Sequence, residues 1–134
     1  MKKGLWNSKE VLLSFGIYSH ESFRADDVLN NKIVFTKNLD HNNFFSFLGL
    51  VSLKKYSYHI VTENFEGLPL DEILENDDMK KSLMSNKDKK NKIHQQLCDA
   101  MAYVNEKFIT DVFIEPRDIL VDLKTDKLKI KTFD

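Results

Sequence analysis

The chain has 134 residues, with 20 Lys or Arg against 21 Asp or Glu and a formal net charge of -1. That balance excludes the electrostatic footprint of a nucleic-acid or membrane-surface binder. The single cysteine, Cys98, excludes an intrachain disulfide and a Cys-based zinc cluster, which fits a reducing compartment and a cytoplasmic location.

Met1 to Lys3 open with a basic start, followed by the apolar stretch Val11 to Tyr18. Ser14 and Gly16 interrupt that stretch, and no small-residue cleavage pattern follows, so it predicts a strand rather than a signal peptide. No run approaches the roughly 18 apolar residues that span a bilayer. Lys32 to Thr36 (KIVFT), Phe44 to Leu53 and Tyr58 to Asn64 are β-branched or aromatic, as strands prefer. Gly67 and Pro69 punctuate the chain, and a short helix is expected from about Asp71. Residues 76–92 carry many charges and no sustained period, which predicts a flexible, solvated loop. From about Asp88 to Lys107, Ile93, Leu97, Ala100, Met101 and Val104 form one apolar helical stripe. Cys98 lies inside that helix and reads as a small buried apolar residue. Asp118 to Asp122 and Lys127 to Thr132 close the chain as two strands joined at Lys124 to Asp126.

Five stretches carry more information than their periodicity. Leu39 to Leu50 reads LDHNNFFSFLGL, and Ile60 to Leu70 reads IVTENFEGLPL. Gln96 to Ile109 reads QLCDAMAYVNEKFI, Phe108 to Val121 reads FITDVFIEPRDILV, and Leu128 to Asp134 reads LKIKTFD. Together, over roughly residues 39–134, they resemble a protein kinase: the L-x-H-P-N stretch, the hinge, the helix before the catalytic loop, the loop itself and the D-F-G segment. Tyrosine kinases fit best, and the hinge E-G-x-P-L is similar to that of the pseudokinase domains of Janus kinases. The resemblance implies an α+β, kinase-like fold. A small antiparallel N-lobe sheet (1–66) would lead through a hinge to αD and αE helices and a catalytic-loop β-hairpin in a truncated C-lobe (67–134), in one compact domain.

Kinase chemistry is positioning plus charge neutralisation, so each component can be sought by position. The four glycines, Gly4, Gly16, Gly49 and Gly67, make no G-x-G phosphate loop. With I-L-V as anchor, His-Arg-Asp falls on Asp111, Val112 and Phe113, so a phenyl ring stands where the proton acceptor should be. The metal-binding Asn falls on Asp118, and D-F-G on Thr132, Phe133 and Asp134. One carboxylate without its partner makes a poor Mg²⁺ site. Thr62 falls at the gatekeeper position and Glu63 after it, with Asn64 and Phe65 as hinge backbone. Lys37 is the phosphate lysine if Ile33 to Lys37 is the V-A-I-K strand; if residues 23–38 are instead a shortened αC helix, no strand lysine exists.

The four histidines, His20, His41, His59 and His94, are scattered, and no metal site or metal cofactor is expected. The resemblance therefore implies a catalytically inactive domain that works by binding a protein, either a kinase or a kinase substrate, as a mimic or inhibitor. Weak ATP binding through hinge backbone, with Lys37, Thr62, Glu63 and Phe65 as contacts, is the first alternative. An unrelated α+β interaction domain and a decaying gene fragment are the others.

Overall fold

The structure, a computed structural model, describes residues 2–17, 36–54, 57–107 and 114–132. Its architecture is mixed α and β, in two compact units. The first comprises residues 1–40, 45–65 and 132–134; the second comprises 41–44 and 66–131.

The first unit is a four-stranded antiparallel sheet of β1 (Lys2–Trp6), β2 (Lys9–Ile17), β3 (Phe47–Lys54) and β4 (Ser57–Glu63), in the order β1-β2-β4-β3. Asn7 and Ser8, with φ of 51° and 64°, form the two-residue turn between β1 and β2. Two left-handed residues match the right-handed twist of a hairpin, and Asn accepts that conformation more readily than Ser. The sequence reading missed β1, because KKGLW carries little alternation. Leu12 pairs with Thr62 and Ser14 with Ile60, and all four side chains are buried.

Thr36 to Asn38 form a helical turn, closed by the Leu39 amide donating to the Thr36 carbonyl at 3.3 Å. The strand expected over 32–36 thus ends in helix at Thr36, while residues 32–35 lie outside the described residues. The reason is tertiary: Thr36 is buried and hydrogen-bonded to a distant residue, and that anchor overrides a local β preference.

The second unit holds β5 (Leu68–Pro69), α1 (Leu70–Glu75), α2 (Asp77–Ser85), α3 (Lys87–Lys107), a 3₁₀ turn at Pro116–Asp118, β6 (Ile119–Asp122) and β7 (Lys127–Ile130). The three strands pair antiparallel in the order β5-β6-β7. Phe44 adds a parallel bridge to Ile130 and is almost fully buried.

Residues 76–92, expected as a flexible loop, are almost entirely helical. Two asparagines account for the difference. The Asn76 side chain accepts from the Met79 amide at 3.0 Å, and the Asn86 side chain from the Lys89 amide at 3.1 Å, so each opens a helix as its N-cap. Within 76–92 only Leu83 is buried, too little to show a period. In α3 the predicted stripe is real: Ile93, Ala100 and Val104 are buried, with Leu97 and Met101 half-buried. Cys98 is a correction, since it is exposed and lies 3.8 Å from the ring nitrogens of His94. It sits on the helix face away from the stripe.

Candidate functional site

Within the second unit, the Leu39–Leu50 motif acts as a clamp. The His41 ring accepts at Nδ1 from the Asn43 amide at 3.1 Å and lies 5.0 Å from the Tyr103 ring. That turn directs Asn43 into the unit. The Asn43 carboxamide donates to the Gln96 side chain at 3.0 Å and to the Leu128 carbonyl at 2.9 Å, while the Asn43 backbone carbonyl accepts from the Ile130 amide at 2.7 Å. Three segments distant in sequence are thereby held in one register.

Asp118 is the residue expected in the loop asparagine's place. Its carboxylate accepts from the Glu115 amide at 3.1 Å, and its carbonyl accepts from the Lys131 amide at 2.9 Å. Beside it, Arg117 pairs with Glu115 at 2.6 Å, largely in solvent. The Asp118 carboxylate therefore already serves the backbone of its own turn. Asp111, Val112 and Phe113 lie outside the described residues.

In the first unit, Thr132 stands where the D-F-G aspartate is expected, and its hydroxyl is 2.9 Å from the Thr36 hydroxyl. A neutral side chain engaged in this way offers no charge to a divalent ion. Phe133 and Asp134 lie outside the described residues. Among the described residues, no group of three or more His, Cys, Asp or Glu side chains is arranged to hold a metal.

The segment from Thr62 to Phe65 is tied down in the same unit. Thr62 is fully buried, and its hydroxyl donates to the Glu63 carbonyl at 3.3 Å. Glu63 exchanges bonds with Ser46: its amide donates to the Ser46 carbonyl at 3.1 Å, and its carboxylate accepts from the Ser46 amide at 3.0 Å. Asn64 donates to Glu10 at 3.2 Å, and the Phe65 ring lies 6.0 Å from that of Phe45. Lys37 is exposed on its helical turn, so it does not stand on a strand.

One position escaped the sequence reading. Ser14, on β2, is 1% exposed, and its hydroxyl has no hydrogen-bond partner among the described residues. A buried polar group without a partner is costly. The available signal was Val11 to Ser14 (VLLS), read only as part of an apolar strand.

A family model described as protein tyrosine and serine/threonine kinase matches residues 7–134. The chain belongs to that family. No curated protein matches it. Among the described residues, no helix is long and apolar enough to cross a membrane.

Proposed function

We propose that this kinase-family chain transfers no phosphate and acts by binding another protein. The observation that carries this reading is the Thr36–Thr132 hydroxyl pair, since the resemblance expects a metal-binding aspartate at Thr132. Three further features support it. Phe113 replaces the catalytic base. The Asp118 carboxylate is bonded within its own turn. Ser14 supplies no cation: the family match begins at residue 7, which brings β2 inside it, and VLLS there fits V-A-I-K with serine in the lysine's place. With Lys37 on a helical turn, neither residue is a strand lysine able to reach phosphates.

The αD and αE assignments of α1 to α3, and the likeness to Janus-kinase pseudokinase domains, belong to the same reading. A domain without chemistry regulates through its surface. Leu48 and Leu50 on edge strand β3 are about half exposed, at 47% and 48%, and supply apolar area for a protein contact. The partner class is a kinase, or a substrate that kinases share, recognised in place of a true kinase.

Purified chain with γ-labelled ATP and Mg²⁺ or Mn²⁺ should leave both itself and a generic acceptor unlabelled. Labelling that disappears in Asp118→Ala would overturn the reading. Binding is checked separately. Capture from cell lysate should enrich one kinase or kinase substrate, and Leu48→Arg with Leu50→Arg should abolish the enrichment. The vestigial reading, in which nucleotide is held without turnover, predicts instead a rise in melting temperature with ATP.

A further inference from the structure

The sheet of the first unit carries a cavity that phosphoryl transfer would not use. It measures about 360 Å³ and is lined by Leu5, Trp6, Val11, Leu13, Val51, His59 and Val61. That volume falls in the range of small-molecule sites. Val11 and Val61 are buried at its base, while Leu5 and Val51 are exposed at its rim. Its residues alternate with Leu12, Ser14, Ile60 and Thr62, so it belongs to the opposite face of the sheet from the gatekeeper position.

The wall is built rather than incidental. Trp6 is on β1 and Gly49 on β3, with β2 and β4 between them. The indole nevertheless reaches Gly49 so closely that a Cβ there would lie 2.4 Å from its Cη2 atom. Only glycine allows the ring to rest there. The Asn7–Ser8 turn, with both residues in the left-handed region, sets the strand that carries Trp6.

We infer that this cavity binds a small, uncharged, planar aromatic molecule. No charged side chain lines it, so a charged ligand would lose its hydration without compensation. An aromatic wall of indole favours a flat ring by offset or edge stacking. Among the described residues, His59 is the one polar side chain in an otherwise aliphatic and aromatic lining. The inference does not depend on the absence of catalysis, since it concerns the other face of the sheet.

Trp6 is the only tryptophan in the chain, so its fluorescence reports on this wall alone. The probe is N-phenyl-1-naphthylamine, which is neutral, aromatic and emissive in apolar surroundings. Titration into the full chain should quench Trp6 by at least half in a saturable manner, with matching sensitised probe emission. Val51→Arg, which places a charge at the rim, should weaken binding at least tenfold. Met84→Arg, at an exposed apolar residue outside the lining, should leave it unchanged. Thermal melts of both variants establish that each is folded. Should Val51→Arg unfold the chain, Val51→Phe, which fills the cavity, takes its place with the same expected loss. Absence of saturable quenching, or equal binding by Val51→Arg and the parent chain, would overturn the inference. So would quenching lost equally in Met84→Arg, which would indicate a general apolar effect rather than this cavity.

Discussion

The hydroxyls of Thr36 and Thr132 lie 2.9 Å apart across 96 residues of sequence, joining the helical turn before the L-x-H motif to the segment that ends the chain. Thr36 is 1% exposed, so its hydroxyl has little recourse to solvent. Thr132→Val should therefore destabilise the chain by about 1–3 kcal/mol, the cost of a buried hydroxyl left without its partner. Thr36→Val with Thr132→Val should recover most of that loss, because both polar groups are then gone and the shapes are kept. Urea unfolding of the two single variants and the double variant closes the cycle. Strict additivity would show that the pair is not coupled.

The same pair bears on chemistry. Thr132→Asp supplies a carboxylate at that position, but on the proposed reading the base and the strand lysine would still be absent. The variant should show no labelled phosphate on any acceptor and no Mg²⁺-dependent rise in melting temperature with ATP. A gain of transfer from this one change would mean that the remaining machinery is intact, contrary to the reading above.

Gln96 is the hub of the second unit. Its side-chain oxygen accepts from Asn43 and from the Leu128 amide, each at 3.0 Å, and its amide group donates to the carbonyls of Lys92 and Asp126 at 3.1 and 2.6 Å. Gln96→Ala should cost roughly 2–3 kcal/mol, since the buried donors it satisfies lose their acceptor. Hydrogen exchange gives the sharper readout. The Leu128 amide should exchange at least tenfold faster in the variant, with amides in the first unit's sheet unchanged. Uniform acceleration would indicate a global loss instead.

Much of this architecture can be read from residue order, and the exceptions have physical causes. The α3 stripe is visible because 21 residues give a helical period room to repeat. Strands β3 and β4 are dense in β-branched and aromatic residues, and their bounds differ by a few residues from expectation. The helices over 77–92 were hidden because their capping information sits in single asparagines, while their charged faces look like loop. The turn at Thr36 was hidden for a different reason: what holds it is a hydroxyl 96 residues away. At the site, the Thr132 and Phe113 assignments on which the proposed reading rests come from motif alignment. Ser14 was not singled out, because a serine inside an apolar strand reads as part of that strand until its burial is known.

The β6–β7 hairpin is tied to α3 through Lys89, whose ammonium bonds the Leu123 carbonyl and, at 2.5 Å, the Asp126 carboxylate. Asp126 has φ of 59°, a left-handed conformation that a short polar side chain tolerates. Both partners are mostly shielded, with side chains 18% and 21% exposed. The pair therefore lies between exposed and fully buried ion pairs. Lys89→Met should cost about 1–2 kcal/mol, with weak dependence on added salt. Unfolding at 0.05 and 1 M NaCl checks this. A loss that vanishes in high salt would place the pair at the surface.

Acid should act on the turn of that hairpin. The Asp122 carboxylate accepts from the Lys124 amide at 2.9 Å, and this bond, with bonds from Thr125 and the charge of Lys124, holds its pKa below the ordinary 3.8 against a smaller opposing effect of desolvation. A carboxyl group lowered by folding stabilises the native state above its unfolded pKa, and that contribution disappears as pH falls through the folded value. The window accordingly opens below about pH 4 and closes beneath the folded pKa. Asp122→Asn retains a turn acceptor but no charge. Its melting temperature should fall below the parent's at pH 6, and the gap should narrow steadily from pH 4 to pH 2. A gap that stays constant over that range would show that the carboxylate's charge contributes nothing to the turn, leaving only the geometry of its hydrogen bond.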